Sequence, residues 1–260
     1  MKGIANYFEF DKLHTNFKRE FVAGVTTFVS MAYILFVNPS VLGASGMDKG
    51  AVFTATAVSA AFACLVMGLY AKYPFASAPS LGINAFFTYS VCIGMHIPWQ
   101  TALAGVFVAS IIFLLVTVLK LRETIINSIP EDLKYAISAG IGLFIAFVGL
   151  QDGKIIIADK STLVGLGSIH GAVWVTLFGL LATALLLILN VPGAIFIGMV
   201  LGAIFGIVMG YIPMPHHFIS AIPSLKPTFG VALHHLGSIN TVQMWIVVFT
   251  FLLVTFFDTT

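Results

Sequence analysis

Apolar residues recur along this chain in long runs, near 23–42, 53–71, 81–95, 100–119, 135–151, 171–189, 193–211 and 243–260, separated by short polar breaks. A hydrocarbon layer about 30 Å thick is crossed by a helix of roughly 20 mostly apolar residues. The runs match that requirement one after another. They show no alternation of apolar and polar positions, which barrel strands would need, and a lone span in lipid must satisfy its backbone internally. The pattern predicts an all-α integral membrane protein. A segment at 1–22 precedes seven spans within 23–212, an amphipathic stretch at 213–242 follows, and an eighth span starts at 243–260.

Composition sharpens this reading. Hydrophobic residues make up 59% of the chain and charged residues 8%, and the mean hydropathy is +1.05, more apolar surface than a soluble core can use. Lysine and arginine set the orientation. With the N-terminus in the cytoplasm, Lys2, Lys12, Lys18, Arg19, Lys72, Lys120, Arg122 and Lys134 lie inside, against Lys49, Lys154, Lys160 and Lys226 outside. The expected location is the cell membrane, with a cytoplasmic N-terminus and an extracytoplasmic 213–242 stretch. The first twenty residues are broken by Asp11, Lys12, Lys18, Arg19 and Glu20, unlike a signal peptide. Phe8, Phe10, Leu13, Phe17 and Phe21 suit an interfacial helix. A net charge of +2 gives no reason to expect nucleic acid as a partner. Cys64 and Cys92 fall within predicted spans, without metal or disulfide spacing, and read as packing residues.

Two stretches depart from plain apolar helix. Tyr73 to Asn84 holds Pro74, Pro79 and Gly82 at the mouth of span three. Proline removes a donor and disfavours helix in the residue before it, so this stretch should be extended and the helix should begin at Leu81 or Gly82. A helix that starts late inside a membrane protein either aims free N–H groups at a cavity or simply ends a loop at the interface. The second stretch, Tyr211 to Thr241, carries four prolines and the pairs His216-His217 and His234-His235. With no carboxylate or cysteine beside them, these imidazoles read as polar loop residues rather than metal ligands. Span seven has Gly198, Gly202, Gly206 and Gly210 at every fourth position, a smooth stripe for close helix packing.

Candidate chemistry is sparse. Asp258 lies deep in the eighth run, where a carboxyl costs about 2.5–3.5 kcal/mol on insertion scales and normally faces a cavity or works in proton relay. The competing reading lets it reach the interface, since 17 residues of helix separate it from Thr241. Asn84 and Asn38 are amides that suit the edge of a heterocyclic base or a bond between helices. Asn38, before Pro39, reads as structural beside a broken helix; Asn84, one turn into the late-starting helix, reads as functional. Gly43-Ala44-Ser45-Gly46 matches a protease pattern by chance, because no histidine lies within a span to serve as its base.

Four segments carry a resemblance. Gly24 to Ile34 with Val37-Asn38-Pro39, Ala78 to Phe87, Gly140 to Leu150 and Phe257-Asp258-Thr259-Thr260 are together similar to the nucleobase:cation symporter-2 superfamily, in particular its AzgA-like adenine, guanine and hypoxanthine permeases. Ser80 stands where that family usually has glycine. The resemblance implies fourteen segments in two inverted repeats of seven, a core domain that holds substrate and a gate domain it moves against. This chain would then be the N-terminal portion, the first repeat and the start of span eight. It implies a secondary transporter of purine bases, not an enzyme, with Gly82, Asn84, Ala85, Thr255 and Asp258 at the substrate. Thr255 falls where many members carry an acid that contacts the purine.

A flat, uncharged ring edged with donors and acceptors is well read by amides and carboxyls at broken helices. The coupling ion would be a proton taken by Asp258, with no cofactor and no metal. The expected partners are the purine and the lipid bilayer, and a homodimer is among the assemblies the sequence allows. Two other readings are a truncated, non-transporting fragment and an anion carrier of the same fold; the second wants a basic residue between Tyr73 and Cys92, where none stands.

Overall fold

The computed structural model describes residues 2–128, 130–214 and 221–258 of the 260. Helix dominates. Within the described residues every predicted apolar run is mainly helical, and four helices are long and apolar enough to cross a membrane: Phe17–Gly43, Lys49–Ala71, Trp99–Val118 and Glu131–Asp152. Shorter apolar helices occupy Leu81–Gly94, Ala172–Ile188, Ala194–Val208 and Val242–Phe257. Large apolar side chains such as Leu143, Leu181, Ile188 and Val208 stand exposed, as lipid-facing residues must.

Span one shows how the local sequence shapes a helix. Asn16 starts it, its Oδ1 accepting from the Arg19 N–H at 3.0 Å. The hydroxyls of Thr26, Thr27 and Ser30 donate to the carbonyls of Val22, Ala23 and Thr26 at 2.9 Å, so the helix satisfies its own polar groups. The break expected at Asn38 is found one to two turns earlier, between helices Phe17–Met31 and Ile34–Gly43. Pro39 sits inside the second helix. Its ring crowds the carbonyl four residues back, at Leu35, and the strain is absorbed upstream. There Leu35 N–H bonds Ala32 O at 3.1 Å and Phe36 N–H bonds Tyr33 O at 3.0 Å, the tighter three-residue spacing. The interfacial helix is also corrected: a short helix covers Lys2–Tyr7, turns follow, and Phe17 and Phe21 belong to span one.

The chain divides into two compact units: Met1–Phe36, Thr56–Ala78 and Gly153–Ala221 form one, and Val37–Ala55, Pro79–Asp152 and Ile222–Thr260 the other. In the first unit the helices Ala172–Ile188 and Ala194–Val208 pack closely. Gly198, Gly202 and Gly206 are buried. A Cβ on Gly202 would lie 3.4 Å from the Gly179 Cα, and one on Gly198 only 1.9 Å from Thr183 Oγ1. Phe178 and Phe205 stack with centroids 4.4 Å apart. Gly210, the last of the stripe, instead takes a positive φ of 73° after the helix.

The same unit contains an antiparallel hairpin, Ile156–Asp159 paired with Leu163–Leu166, that the all-α expectation lacked. Asp159 Oδ1 closes its turn, accepting from the N–H groups of Ser161 at 2.8 Å and Thr162 at 2.9 Å. Two four-residue strands with mostly exposed side chains carry no alternation to announce them.

The core of the second unit gathers Phe87, Val91, Val247, Val248 and Phe251 with small residues of Trp99–Val118, among them Ala102 and Ala104. The stretch before span eight adds a short helix, Val231–His234, and a tighter turn of helix, Leu236–Ile239. Both pack on Trp99–Val118, and Ile239 is buried.

Candidate functional site

The helix of span three begins where the prolines place it. Residues 72–80 are without helix, and Leu81–Ala85 follows, capped by Ser80, whose hydroxyl accepts from the Ile83 N–H at 3.4 Å. Serine at this position thus supplies a side-chain acceptor that glycine lacks. Upstream, Cys64 Sγ donates to the Ser77 carbonyl at 3.5 Å and receives the Ser77 N–H at 3.3 Å. The thiol read as a packing residue therefore also ties the extended segment to span two, while Cys92 packs against the core as expected.

From Phe86 to Gly94 span three is wound as a wider helix, with bonds to the fifth residue. Such turns are rare and recur at functional sites. No residue type in Phe86–Gly94 signals it.

Within the second unit the amides of Asn84 and Asn38 meet: Asn84 Nδ2 donates to Asn38 Oδ1. Asn84 is half-buried, and Asn38 is 3% exposed. Gly82 and Ala85 are buried on either side of Asn84 along the helix. The Leu81–Ala85 helix packs against Val242–Asp258, and Phe86 meets Phe251 edge to face with centroids 5.4 Å apart. The structure therefore brings together the two helices that carry the predicted site residues. Thr255, half-buried, donates to the Phe251 carbonyl at 2.8 Å. Asp258 closes its helix by backbone; its side chain lies outside the described residues, as do Thr259, Thr260, His216 and His217.

Three polar features were not singled out from the sequence. Thr88, fully buried four residues beyond Asn84, has a hydroxyl with no hydrogen-bond partner among the described residues. Thr54 donates to the Pro223 carbonyl at 2.9 Å. Tyr89 lies near the Asp152 carboxyl, at the end of span five. A carboxyl just past an apolar run was the available signal for Asp152, and a threonine inside one for Thr88.

A cavity of about 520 Å³ lies within the first unit, lined by Gly24, Thr27, Phe28, Ala57, Cys64 and Tyr73 among others. Its lining is apolar apart from Glu20 and a few hydroxyl and thiol groups, and it includes none of the predicted site residues. Outside the spans, Glu9 is held below the usual carboxylate range by its hydrogen bond and ion pair with Lys12 at 2.8 Å. Hydrogen bonds from Thr162 and Ser161 hold Asp159 low in the same sense.

A chain of apolar helices with an interrupted third span, an amide pair at its start and the eighth span packed on it defines a polytopic membrane protein of the transporter type. The Permease family matches residues 18–260. The guanine/hypoxanthine permease PbuG of Bacillus subtilis strain 168 is 52% identical, over 98% of this chain and 60% of that protein. The guanine/hypoxanthine permease PbuO of the same strain is 41% identical, over 97% of this chain and 60% of its own length. The adenine permease AdeP of Escherichia coli K12 is 37% identical, over 94% of this chain and 54% of AdeP. The chain belongs to the Permease family, within the nucleobase:cation symporter-2 superfamily, and is a membrane protein and not an enzyme. It spans about three fifths of the length of these curated relatives.

Proposed function

We infer that the protein acts in the transport of purine nucleobases across the cell membrane, by proton-coupled secondary transport. The observation that carries the reading is the partly buried amide contact at the start of the interrupted span three, packed beside span eight. Purine permeases among the relatives, with both guanine/hypoxanthine and adenine named, support this substrate class. Asn84 reads the edge of the base, and Gly82 and Ala85, having little side chain, let the ring approach the backbone. Thr255 and Asp258 approach from span eight, and Asp258 takes the coupling proton, its proton affinity changing between outward and inward states. The chain supplies the first of two inverted repeats, with its N-terminus in the cytoplasm.

The test is uptake of labelled adenine, guanine and hypoxanthine by cells deficient in purine transport. They would express this chain and, in parallel, the chain extended by the C-terminal two fifths of PbuG. Uptake of at least one base by the extended form is expected, and its loss in Asp258→Ala. No uptake by the extended form overturns the purine reading. Undiminished uptake in Asp258→Ala removes the role given to that carboxyl.

A further inference from the structure

We propose that the hairpin at 156–166 is a lipid-binding surface: it lies flat on the bilayer beside the start of the helix Ala172–Ile188, with Ile156, Ala158, Val164 and Leu166 turned to the acyl chains. The proposal rests on the chain being a membrane protein and is independent of the purine reading.

Residues opposite one another in an antiparallel pair share a face. Ile156 pairs with Leu166 and Ala158 with Val164, so one face of the hairpin is wholly apolar. Ile157 with Gly165 and Asp159 with Leu163 make the other. On that second face the Asp159 carboxylate is exposed and accepts the N–H groups of Ser161 and Thr162. On the first, Leu166 is 73% exposed and Val164 44%. A two-stranded hairpin is marginally stable at best in water, and this one leaves its apolar face open. That face calls for an apolar neighbour.

The position of the hairpin says which. Thr176 Oγ1 donates to the Gly153 carbonyl at 3.4 Å, and a Cβ on Gly153 would lie 2.6 Å from Thr176 Cγ2. Gly167 N–H bonds Ile155 O at 2.9 Å and joins the two legs. The base of the hairpin therefore lies against the second turn of Ala172–Ile188. Trp174, in the first turn, is 49% exposed, and tryptophan at the end of an apolar helix sits at the level of the lipid headgroups. The hairpin starts at that level.

Tip-first entry into lipid is closed to it, because Asp159, Lys160, Ser161 and Thr162 make its turn. Full immersion is closed too: with two strands, both outer edges carry backbone groups outside the ladder, which hydrocarbon leaves unsatisfied. Lying flat meets both constraints. The apolar face enters the lipid, while the edges and the Asp159 face stay with water. Lys154 and Lys160, both exposed, then meet lipid phosphates from the base and from the turn.

The test places the protein, extended by the PbuG segment, in nanodiscs of phosphatidylcholine and phosphatidylglycerol that carry a photoactivated diazirine high on the acyl chain. Lipid-labelled peptides are mapped after irradiation, with no substitution in the protein. Labelling is expected at Val164 and Leu166 as well as on Ala172–Ile188, whose Leu180 and Leu181 are exposed. Labelling of that helix without the hairpin overturns the proposal.

Nitroxides at Leu166→Cys and Ile157→Cys separate the two faces, with protein carrying only its native cysteines as background. Leu166→Cys should be more accessible to oxygen, which gathers in lipid, than to a water-soluble nickel chelate, and Ile157→Cys should show the reverse order. The same order at both positions overturns the proposal. So does exclusion of both reagents at Leu166→Cys, which is the outcome if a protein surface such as a second copy covers the face instead of lipid.

Discussion

Two places where helices meet at close range show opposite uses of the same apolar setting. Spans six and seven approach through glycine: Gly179 and Gly202 bring backbone against backbone, and the Thr183 hydroxyl beside Gly198 is satisfied at 2.7 Å by its own helix at Gly179. Spans one and three approach through amides, Asn38 and Asn84, neither of which spends that contact on its own helix. Lipid offers no hydrophobic drive to associate helices, so each contact needs another source of attraction. Glycine supplies dispersion along a smooth face and commits nothing to a ligand. The amide pair supplies a directed bond and uses only one N–H of Asn84. A polar bond between helices is thus compatible with chemistry where a glycine stripe is not.

The comparison breaks most visibly at the stripe. Gly198→Val would drive a side chain into Thr183, where a Cβ alone comes within 1.9 Å of Oγ1 and 3.1 Å of Cα. A loss of about 3 kcal/mol is expected, seen as a fall in detergent-stable folded protein. Next in size, Asn84→Leu should lower purine uptake by the extended form, per molecule in the membrane, at least about tenfold, the cost of an unmet hydrogen bond. Equal uptake would return Asn84 to a structural role.

Ser80→Ala should cost about 1 kcal/mol through loss of the cap, and Ser80→Gly only a few tenths, read as the difference in thermal midpoint between the two variants. The smallest effect concerns the hairpin. Asp159 is held low by hydrogen bonds to its ionised form, so its contribution is complete above the ordinary carboxylate value of about 3.9 and fades as pH falls through its lowered value. Amide exchange at Ser161 and Thr162 should keep constant protection from pH 7 to about 5 and lose it only as the pH falls past the ordinary carboxylate value of about 3.9, whereas the amides of span seven show no such step.

Much of the fold was legible in the chain because its causes are local. The eight apolar runs became eight helical segments, the prolines at Pro74 and Pro79 held the chain extended, and the helix opened at Leu81. Gly198, Gly202 and Gly206 packed as their spacing implied. Pro39 was misjudged for a physical reason: the carbonyl it crowds belongs to Leu35, so the helix yields upstream at Ala32–Tyr33 rather than at Asn38. Of the candidate site, Asn84 could be picked out by its place in a late helix, but its partner could not, and Asn38 was read as a structural residue beside a broken helix.

Where the apolar helices lie and the point where the third of them starts were determined by the sequence alone, since hydrophobic length and proline stereochemistry act within a few residues. Which faces meet was decided only by the tertiary structure. Helices that are apolar all round carry no stripe to say which side turns inward. The meeting of Asn38 with Asn84, the wide turns from Phe86 to Gly94 and the packing of Val242–Asp258 on Leu81–Ala85 depend on how whole helices rotate and settle against one another. That rotation is fixed by contacts between residues far apart in the chain.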